Sequence, residues 1–408
     1  MHQPPRARFL DRATPPHIAT LILLTGFSTL SLNLFLPSLP RMTEHFQTDY
    51  AIMQLSVSGF LAANAIFQLV VGPISDRYGR RPVLLTCLAL FLVATLGTLT
   101  ATTIELFLLA RICQAVVVAA MVVPRAILRD LYDTGRAASM LGYVTMGMAI
   151  MPMLGPAIGG FLDEAFGWQA NFWLLFAIGA ITLTVTWFDL KETNTTRSSS
   201  FAAQIRDYPE LFRSRRFWGY ALSAGFASGA FFAFLGGAPF VGVQVFGLTP
   251  SQLGLYFMPT AFGYIIGNFL SGRFSQRVGI TRLIMLGACS LIFAMLGSWA
   301  LFAAGATAPA AFFGMTVFIG VGNGLVLPNA TAGMLSVRPR LAGTASGLGG
   351  ALMIGFGAAL SVVVGIWLTR SPGPYPLIWM MLMCGVAALL MSLYVRHIDR
   401  IAGPPGRE

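Results

Sequence analysis

Apolar residues along this chain come in long unbroken runs rather than in stripes. About twelve runs, near 17–39, 51–73, 83–102, 104–126, 138–161, 168–189, 217–241, 251–272, 281–303, 309–336, 341–368 and 375–396, each approach the roughly 20 residues a helix needs to cross a bilayer. Polar residues are largely confined to the short breaks between them. The pattern predicts an all-α integral membrane protein with twelve transmembrane helices. Composition agrees: the 408 residues are 56% hydrophobic and 10% charged, against about a quarter charged in soluble domains. The basic start, Arg6, Arg8 and Arg12, leads straight into a full-length span. The first helix is therefore expected to be its own anchor and not a cleaved signal.

A net charge of +11 raises nucleic acid as a partner, but the placement of the cations argues against it. Of 26 Lys and Arg, 22 fall in the N-terminus, in the loops that follow even-numbered spans, or in the C-terminus. Arg41 and Arg370 lie in loops on the other side, and Arg111 and Arg125 lie within a helix. That asymmetry places both termini and the central loop in the cytoplasm. The chain is expected to sit in a membrane that borders the cytoplasm. The expected partners are the bilayer and a small-molecule substrate, with no nucleic acid, and the expected working unit is a monomer. Cys87, Cys113, Cys289 and Cys384 all sit within spans, which implies neither a disulfide framework nor a metal site.

The longest polar break, 189–216, divides the spans six and six. The expected bodies are 1–188 and 217–408, joined by a central loop at 189–216. In that loop Phe201, Ile205, Tyr208 and Phe212 share one helical face, with Arg206, Arg213, Arg215 and Arg216 near them. This predicts a short amphipathic helix lying on the cytoplasmic surface. The halves also repeat. Gly72, Ser75, Arg77 and Gly79 recur as Gly272, Ser275, Arg277 and Gly279, with Gln276 in place of Asp76. Val123-Pro124-Arg125-Ala126 recurs as Leu327-Pro328-Asn329-Ala330, and Arg136 then aligns with Arg340. Parallel repeats of this kind mark transporters whose substrate site lies between the halves.

The segment Gly72-Pro73-Ile74-Ser75-Asp76-Arg77-Tyr78-Gly79-Arg80-Arg81-Pro82 reads as a compact, charged, Gly-bounded turn between spans 2 and 3. An anion at one helix end with cations around a tight turn forms an ionic latch at a membrane face. Orientation alone would need only the cations. The pattern G-x-x-S-D-R-x-G-R-R resembles the helix 2–3 loop of the major facilitator superfamily. The resemblance implies a twelve-helix carrier in two six-helix pseudo-repeat bundles that works by alternating access. Asp76, Arg77, Arg80 and Arg81 would then form a latch stabilising the outward-facing state.

Other motifs follow in chain order. Span 1 carries Asn33-Leu34-Phe35-Leu36-Pro37, an amide one turn before a proline that frees a backbone carbonyl. Across nearly its whole length the chain resembles the Bcr/CflA-like (bicyclomycin and chloramphenicol resistance) branch of the twelve-helix drug:proton antiporters. That branch tends to carry an Asp-x-Tyr-Leu-Pro motif here, with the Asp implicated in coupling. Asn33 stands for that Asp and Phe35 for that Tyr, so the usual titrating group is missing from its usual place. Span 2 offers Gln54, Ser58, Asn64 and Gln68, either as cavity lining or as packing.

Arg111 lies about 10 Å into span 4 and matches the Arg of the superfamily's R-x-x-x-Q-G type motif, although the spacing to Gln114 and the final Ala115 depart from it. A cation there costs several kcal/mol unless paired or wetted, which makes it a functional candidate, with snorkelling or carbonyl capping as the alternative. Arg125, Arg129 and Asp130 resemble the R-A-x-x-R-D run of the same branch and read as partners of Asp76 in the latch. Gly155-Pro156-Ala157-Ile158-Gly159-Gly160 in span 5 looks like the antiporter motif of drug exporters; Gly155 and Gly159 share a face that lets a neighbouring backbone approach. Met146, Met148, Met151 and Met153 add adaptable surface to it. Aromatics with Asn268 in spans 7 and 8 line a pocket or face lipid. Gly322-Asn323-Gly324 and Pro328-Asn329 give span 10 a kinkable polar stretch.

Absences matter as much. All 15 Asp and Glu fall in loops or at span ends, and His2, His17, His45 and His397 are peripheral too. No G-K-[ST] phosphate loop and no convergent catalytic trio is present, so neither an ATP-driven pump nor a membrane enzyme is expected. No cofactor or metal is implied; the proton gradient is the expected energy source. The sequence therefore supports an exporter of small amphipathic compounds, with a narrower carrier for an anionic metabolite, countered by Arg111, as the alternative.

Overall fold

In the computed structural model, residues 8–132, 134–194, 209–306, 308–338, 342–371 and 373–402 are described. Eleven helices long and apolar enough to cross a membrane are found among them: α1 Ile18–His45, α2 Tyr50–Tyr78, α3 Arg80–Thr100, α4 Ile104–Leu128, α6 Gln169–Asp189, α7 Arg215–Val245, α8 Pro250–Val278, α9 Ile280–Ala303, α10 Pro309–Val337, α11 Ala345–Arg370 and α12 Tyr375–Ile401. A further helix, α5 Thr134–Phe166, completes twelve. No strand occurs among the described residues. Phe201, Ile205, Arg206 and Tyr208, on which the surface helix was expected, lie outside the described residues, as do the side chains of Arg129, Met146, Met148 and Met153.

The helices run further than hydropathy implies, because charged turns continue them past the apolar runs. The Gly72–Pro82 segment, read as a compact charged turn, is therefore almost wholly helical. α2 continues through Pro73 to Tyr78 and α3 begins at Arg80. Only Gly79 separates them, at φ +106°, a conformation that costs an L side chain dearly. Gly279 does the same between α8 and α9 at φ +89°. The repeat seen in the sequence is thus a repeat of one-residue hinges.

Irregular backbone interrupts several spans. α1 tightens into a 3₁₀ turn at Leu36–Ser38 around Pro37, and α4 into one at Gln114–Val118. Mid-helix 3₁₀ turns commonly mark hinges. α7 contains Pro239 and ends in a π turn at Val241–Val245. Within the second half, α8 and α10 meet backbone to backbone. A Cβ at Gly263 or Gly267 would overlap the Val317 or Val321 carbonyl, and one at Gly320 the Thr260 carbonyl. Between the halves the contacts run chiefly through α2 with α11 and α5 with α8.

Candidate functional site

Arg111 sits inside the first half, wholly enclosed. Its Nε donates to the Ser56 carbonyl at 3.2 Å, Nη1 to Gln114 Oε1 at 2.7 Å and Nη2 to the Ser31 carbonyl at 2.8 Å. Phe35 and Phe60 cover its guanidinium at 4.5 and 4.0 Å from their ring centroids. Gln114 Nε2 continues the chain of donors to Thr95 Oγ1 at 2.7 Å. Three carbonyl-type oxygens and two ring faces replace the water that this cation leaves behind. The group ties α1, α2, α3 and α4 together. In sequence Phe35 stands at the Tyr of the Asp-x-Tyr-Leu-Pro motif; in the fold it is a lid on Arg111.

Asn33 is buried, donates through Nδ2 to the Thr29 carbonyl at 2.8 Å, and leaves Oδ1 without a partner. Its Cβ lies against Gly155 of α5. One turn on, a Cβ at Gly159 would overlap the Leu34 carbonyl of α1, and one at Gly160 the Pro250 carbonyl of α8. A Cβ at Gly254 would in turn meet the carbonyl of Pro156. Gly155, Pro156, Gly159 and Gly160 therefore form the crossing at which α5 touches α1 on one side and α8 of the other half on its other side. The small residues are needed because backbone meets backbone there.

This crossing lies at the end of the bundle opposite to the Gly79 and Gly279 turns, and further contacts close the halves at that end. The Tyr50 hydroxyl donates to the Gly236 carbonyl at 2.6 Å. Gln54 Nε2 donates to the Ser361 carbonyl at 2.7 Å and lies 3.1 Å from Ser361 Oγ. Gly236 and Gly365 leave no room for a Cβ beside the Gln54 amide. The Ser251 backbone N–H donates to Glu164 Oε2 at 3.3 Å. Tyr50, Ser361 and the Glu164–Ser251 contact were not singled out from sequence; they join positions 87 to 307 residues apart.

The end carrying the turns is arranged differently. Arg80, nearly buried, joins Asp76 at 2.5 Å, Asp130 at 3.0 Å and Ser75 Oγ at 2.7 Å. Glu192 accepts the Arg80 and Arg81 backbone N–H groups at 3.0 and 3.2 Å, capping α3. It also fills the space a Cβ on Gly79 would occupy. Arg81 Nε donates to the Leu190 carbonyl at 2.8 Å. Arg77 is exposed with its guanidinium over the Tyr78 ring, outside this network. The latch thus binds the α2–α3 turn to the end of α4 and to the chain leaving α6, all within one half. Glu192 was recorded from sequence only as a loop acid; its signal was the glycine it packs against. In the second half the repeat is neutral, with Asn329 Nδ2 donating to Ser271 Oγ at 2.8 Å and Ser275 Oγ to Asn329 Oδ1 at 3.0 Å.

The remaining polar positions are placed as follows. Asn64 Oδ1 and Gln68 Oε1 of α2 are buried without partners, and Gln68 lies against Gly350 of α11. One turn nearer the basic end, a Cβ at Gly72 or at Gly347 would meet nothing within 4 Å. Asn323 donates to the Ile319 carbonyl at 3.1 Å with Oδ1 unpartnered. Asn268 Nδ2 donates to the Tyr264 carbonyl at 2.8 Å. Arg125, expected in the latch, is exposed on α4. It emerges from the α4 face opposite to buried Val123 and Ile127. No group of three or more metal-ligating side chains and no disulfide occurs among the described residues.

Comparison with known proteins decides the family. The Major Facilitator Superfamily model matches residues 21–362. The chain belongs to the Major Facilitator Superfamily. It is thus a multi-pass membrane transporter and not an enzyme. It is 32% identical over 353 residues to the uncharacterized MFS-type transporter YdgK of Bacillus subtilis, covering 84% of this chain and 87% of that one. It is 26% identical over 394 residues to a bicyclomycin resistance protein homolog of Haemophilus influenzae, covering 94% and 97%. To the multidrug transporter MdfA of Edwardsiella piscicida it is 30% identical over 259 residues, 63% of each chain. Among solved structures it matches a bacterial homolog of the human lysosomal transporter Spinster in an inward-facing, occupied conformation. That match has a TM-score of 0.71 and 18% identity, covering 94% of this chain and 96% of that one. In this superfamily chain, the tight contacts between the halves gather at one end and the single-residue breaks between helices at the other.

Proposed function

We propose that this chain is a secondary transporter that exports small amphipathic compounds across a bacterial inner membrane by alternating access, drawing on the proton-motive force. Both termini and the latch lie in the cytoplasm, and the Tyr50, Gln54 and Gly160 contacts form the outer gate. One observation carries the reading: the halves are locked together at one end while Gly72 and Gly347, one turn beyond the Gln68–Gly350 contact, face open space at the other. Two glycines with nothing to accommodate in this state fit a second state in which the inner ends close. The names of the Haemophilus and Edwardsiella relatives support drugs or toxic compounds as cargo. A narrower carrier for an anionic metabolite is favoured by Asn33, which cannot titrate where an acid is expected.

The test is a susceptibility panel in an efflux-deficient bacterial host, with wild type, Gly160→Leu and empty vector at matched membrane levels. Bicyclomycin, phenicols, sulfonamides and lipophilic cations span the expected chemistry. Resistance to at least one class, lost in Gly160→Leu and abolished by an uncoupler, is the expected result. No resistance to any compound would overturn drug export and leave the metabolite carrier.

A further inference from the structure

We infer that the seam between α3 and α6 is a binding site for an anionic phospholipid. Arg12 and Arg81 hold its phosphate, and an acyl chain lies in the groove below them. The inference goes beyond the export reading and depends on no cargo. It takes from that reading only that this end of the bundle faces the cytoplasm, which makes the lipid one of the cytoplasmic leaflet.

The site is built on the last turn of α6. Arg12 Nε donates to the Trp187 carbonyl at 2.6 Å, and Arg81 Nη2 donates to the same oxygen at 3.2 Å. Arg81 Nε is held by the Leu190 carbonyl at 2.8 Å. Both guanidiniums also lie over the Trp187 ring, 5.3 and 4.9 Å from its centroid. The free carbonyls of a helix C-terminus carry roughly half a negative charge, enough to draw one cation but not to balance two. Neither guanidinium forms a salt bridge among the described residues. The neighbouring acids are turned onto backbone groups instead. Asp189 accepts the Leu10 and His17 N–H groups at 2.8 and 2.9 Å, Asp11 that of Ala13, and Glu192 those of Arg80 and Arg81. Arg81 Nη1 and both terminal nitrogens of Arg12 therefore have no acceptor among the described residues.

Below these cations the surface is apolar and concave. Leu85 and Ala89 of α3 and Leu183, Thr184, Trp187 and Phe188 of α6 line a groove of about 450 Å³. Thr184 adds little polarity, because its hydroxyl donates to the Ala180 carbonyl at 2.8 Å. From Arg81 to Ala89 the groove follows about 12 Å of helix, most of the roughly 15 Å of hydrocarbon in one leaflet. Trp187, half exposed, stands where indole rings mark the membrane boundary. Charge at the boundary with an apolar groove behind it is complementary to a phospholipid and not to a free anion.

The second half shows what the fold requires at this place. By the repeat Thr281 stands for Arg81, and its hydroxyl lies 3.4 Å from the Tyr220 hydroxyl of α7. A neutral side chain suffices there, so the paired cations are an addition of the first half. Orientation in the membrane would be met by cations anywhere near this surface. Gathering two on one carbonyl and one ring raises their repulsion, which a phosphate between them offsets. The lipid would thereby tie the segment before α1, which carries Arg12, to the first turn of α3.

The experiment uses the full chain, purified in detergent, stripped of lipid and titrated with dioleoylphosphatidylglycerol or dioleoylphosphatidylcholine. Native mass spectrometry counts the lipids retained, and thermal unfolding reads the protection they give. Wild type should retain one phosphatidylglycerol at least about tenfold more tightly than phosphatidylcholine. Arg12→Gln combined with Arg81→Gln should bring the two lipids within about threefold of each other, while the corresponding Lys pair keeps most of the preference. Ala89→Trp fills the groove from an exposed position and leaves both cations in place; it should weaken retention of both lipids. Should the double Gln variant fail to fold, Arg12→Gln alone and Ala89→Trp carry the test, since both positions are exposed. Equal retention of the two lipids by wild type, or unchanged selectivity in the Gln variants, would overturn the inference. So would unchanged retention in Ala89→Trp, or equal protection by inorganic phosphate alone, since either result would leave an anion site with no place for a chain. Failure of the resistance panel would touch the export reading and none of these outcomes.

Discussion

Arg111 and Arg125 stand fourteen residues apart on one helix and meet opposite environments. Removing the Arg111 side chain would leave the Ser31 and Ser56 carbonyls and Gln114 Oε1 short of a donor inside the membrane. At about 1–3 kcal/mol for each unsatisfied buried group, Arg111→Ala should lower the unfolding midpoint in detergent markedly. Arg125→Gln, at an exposed position, should shift stability by no more than about 0.5 kcal/mol. Differential scanning measurements on both variants check this; equal midpoints would contradict it. The sequence made Arg111 legible as an unusual buried cation but not as a carbonyl-bound one, because its carbonyl acceptors come from α2 and α1, 55 and 80 residues away. It also grouped Arg125 with the latch, since adjacency to Asp130 along the chain says nothing about the face on which a side chain emerges. Asn33 was readable as a departure from its branch, while the Gly155 contact that buries it was not.

At the scale of elements, the glycines do most to set the geometry. Gly159 and Gly160 allow α5 to touch α1 and α8 at once, and neither site admits a Cβ without overlapping a carbonyl. Gly160→Leu should force α5 and α8 apart and weaken the proposed outer gate. Labelling of a Ser251→Cys background by a membrane-impermeant maleimide should then rise several-fold; unchanged labelling would remove this crossing from the gate. The motif itself was plain in the sequence. Its partner Gly254, from the other half, was not. Glu192 presents a second case. It caps α3 through the Arg80 and Arg81 N–H groups, so Glu192→Gln should cost about 0.5–2 kcal/mol of local stability, the range for loss of a helix cap. Faster amide exchange confined to the α2–α3 turn would register it. A uniform change across α3, or none, would argue against the cap. Hydropathy located every span yet ended most of them early, since charged turns such as Ser75 to Tyr78 stay helical outside the apolar run.

For the whole molecule, the two halves share a plan and differ in its chemistry. The first half holds its hinge with an ionic cluster centred on Arg80, the second with the neutral Ser271–Asn329–Ser275 group. The six-and-six division and the recurring hinge could be read from sequence. The asymmetry of contact between the ends could not, because it resides in pairs such as Tyr50–Gly236 and Gln54–Ser361. The proposed alternating access requires that these pairs part when the hinge ends meet. Spin labels at exposed positions can follow both ends: Arg77→Cys with Arg277→Cys at the hinge end, and Glu44→Cys with Gln244→Cys at the other. Pulsed electron–electron distances should be taken in lipid with and without a compound that the resistance panel identifies as cargo. Reciprocal change is the predicted result, with a population of shorter distances at the hinge end matched by longer ones at the far end. Distances that stay fixed at both ends, or that lengthen together, would contradict a carrier that opens one gate by closing the other.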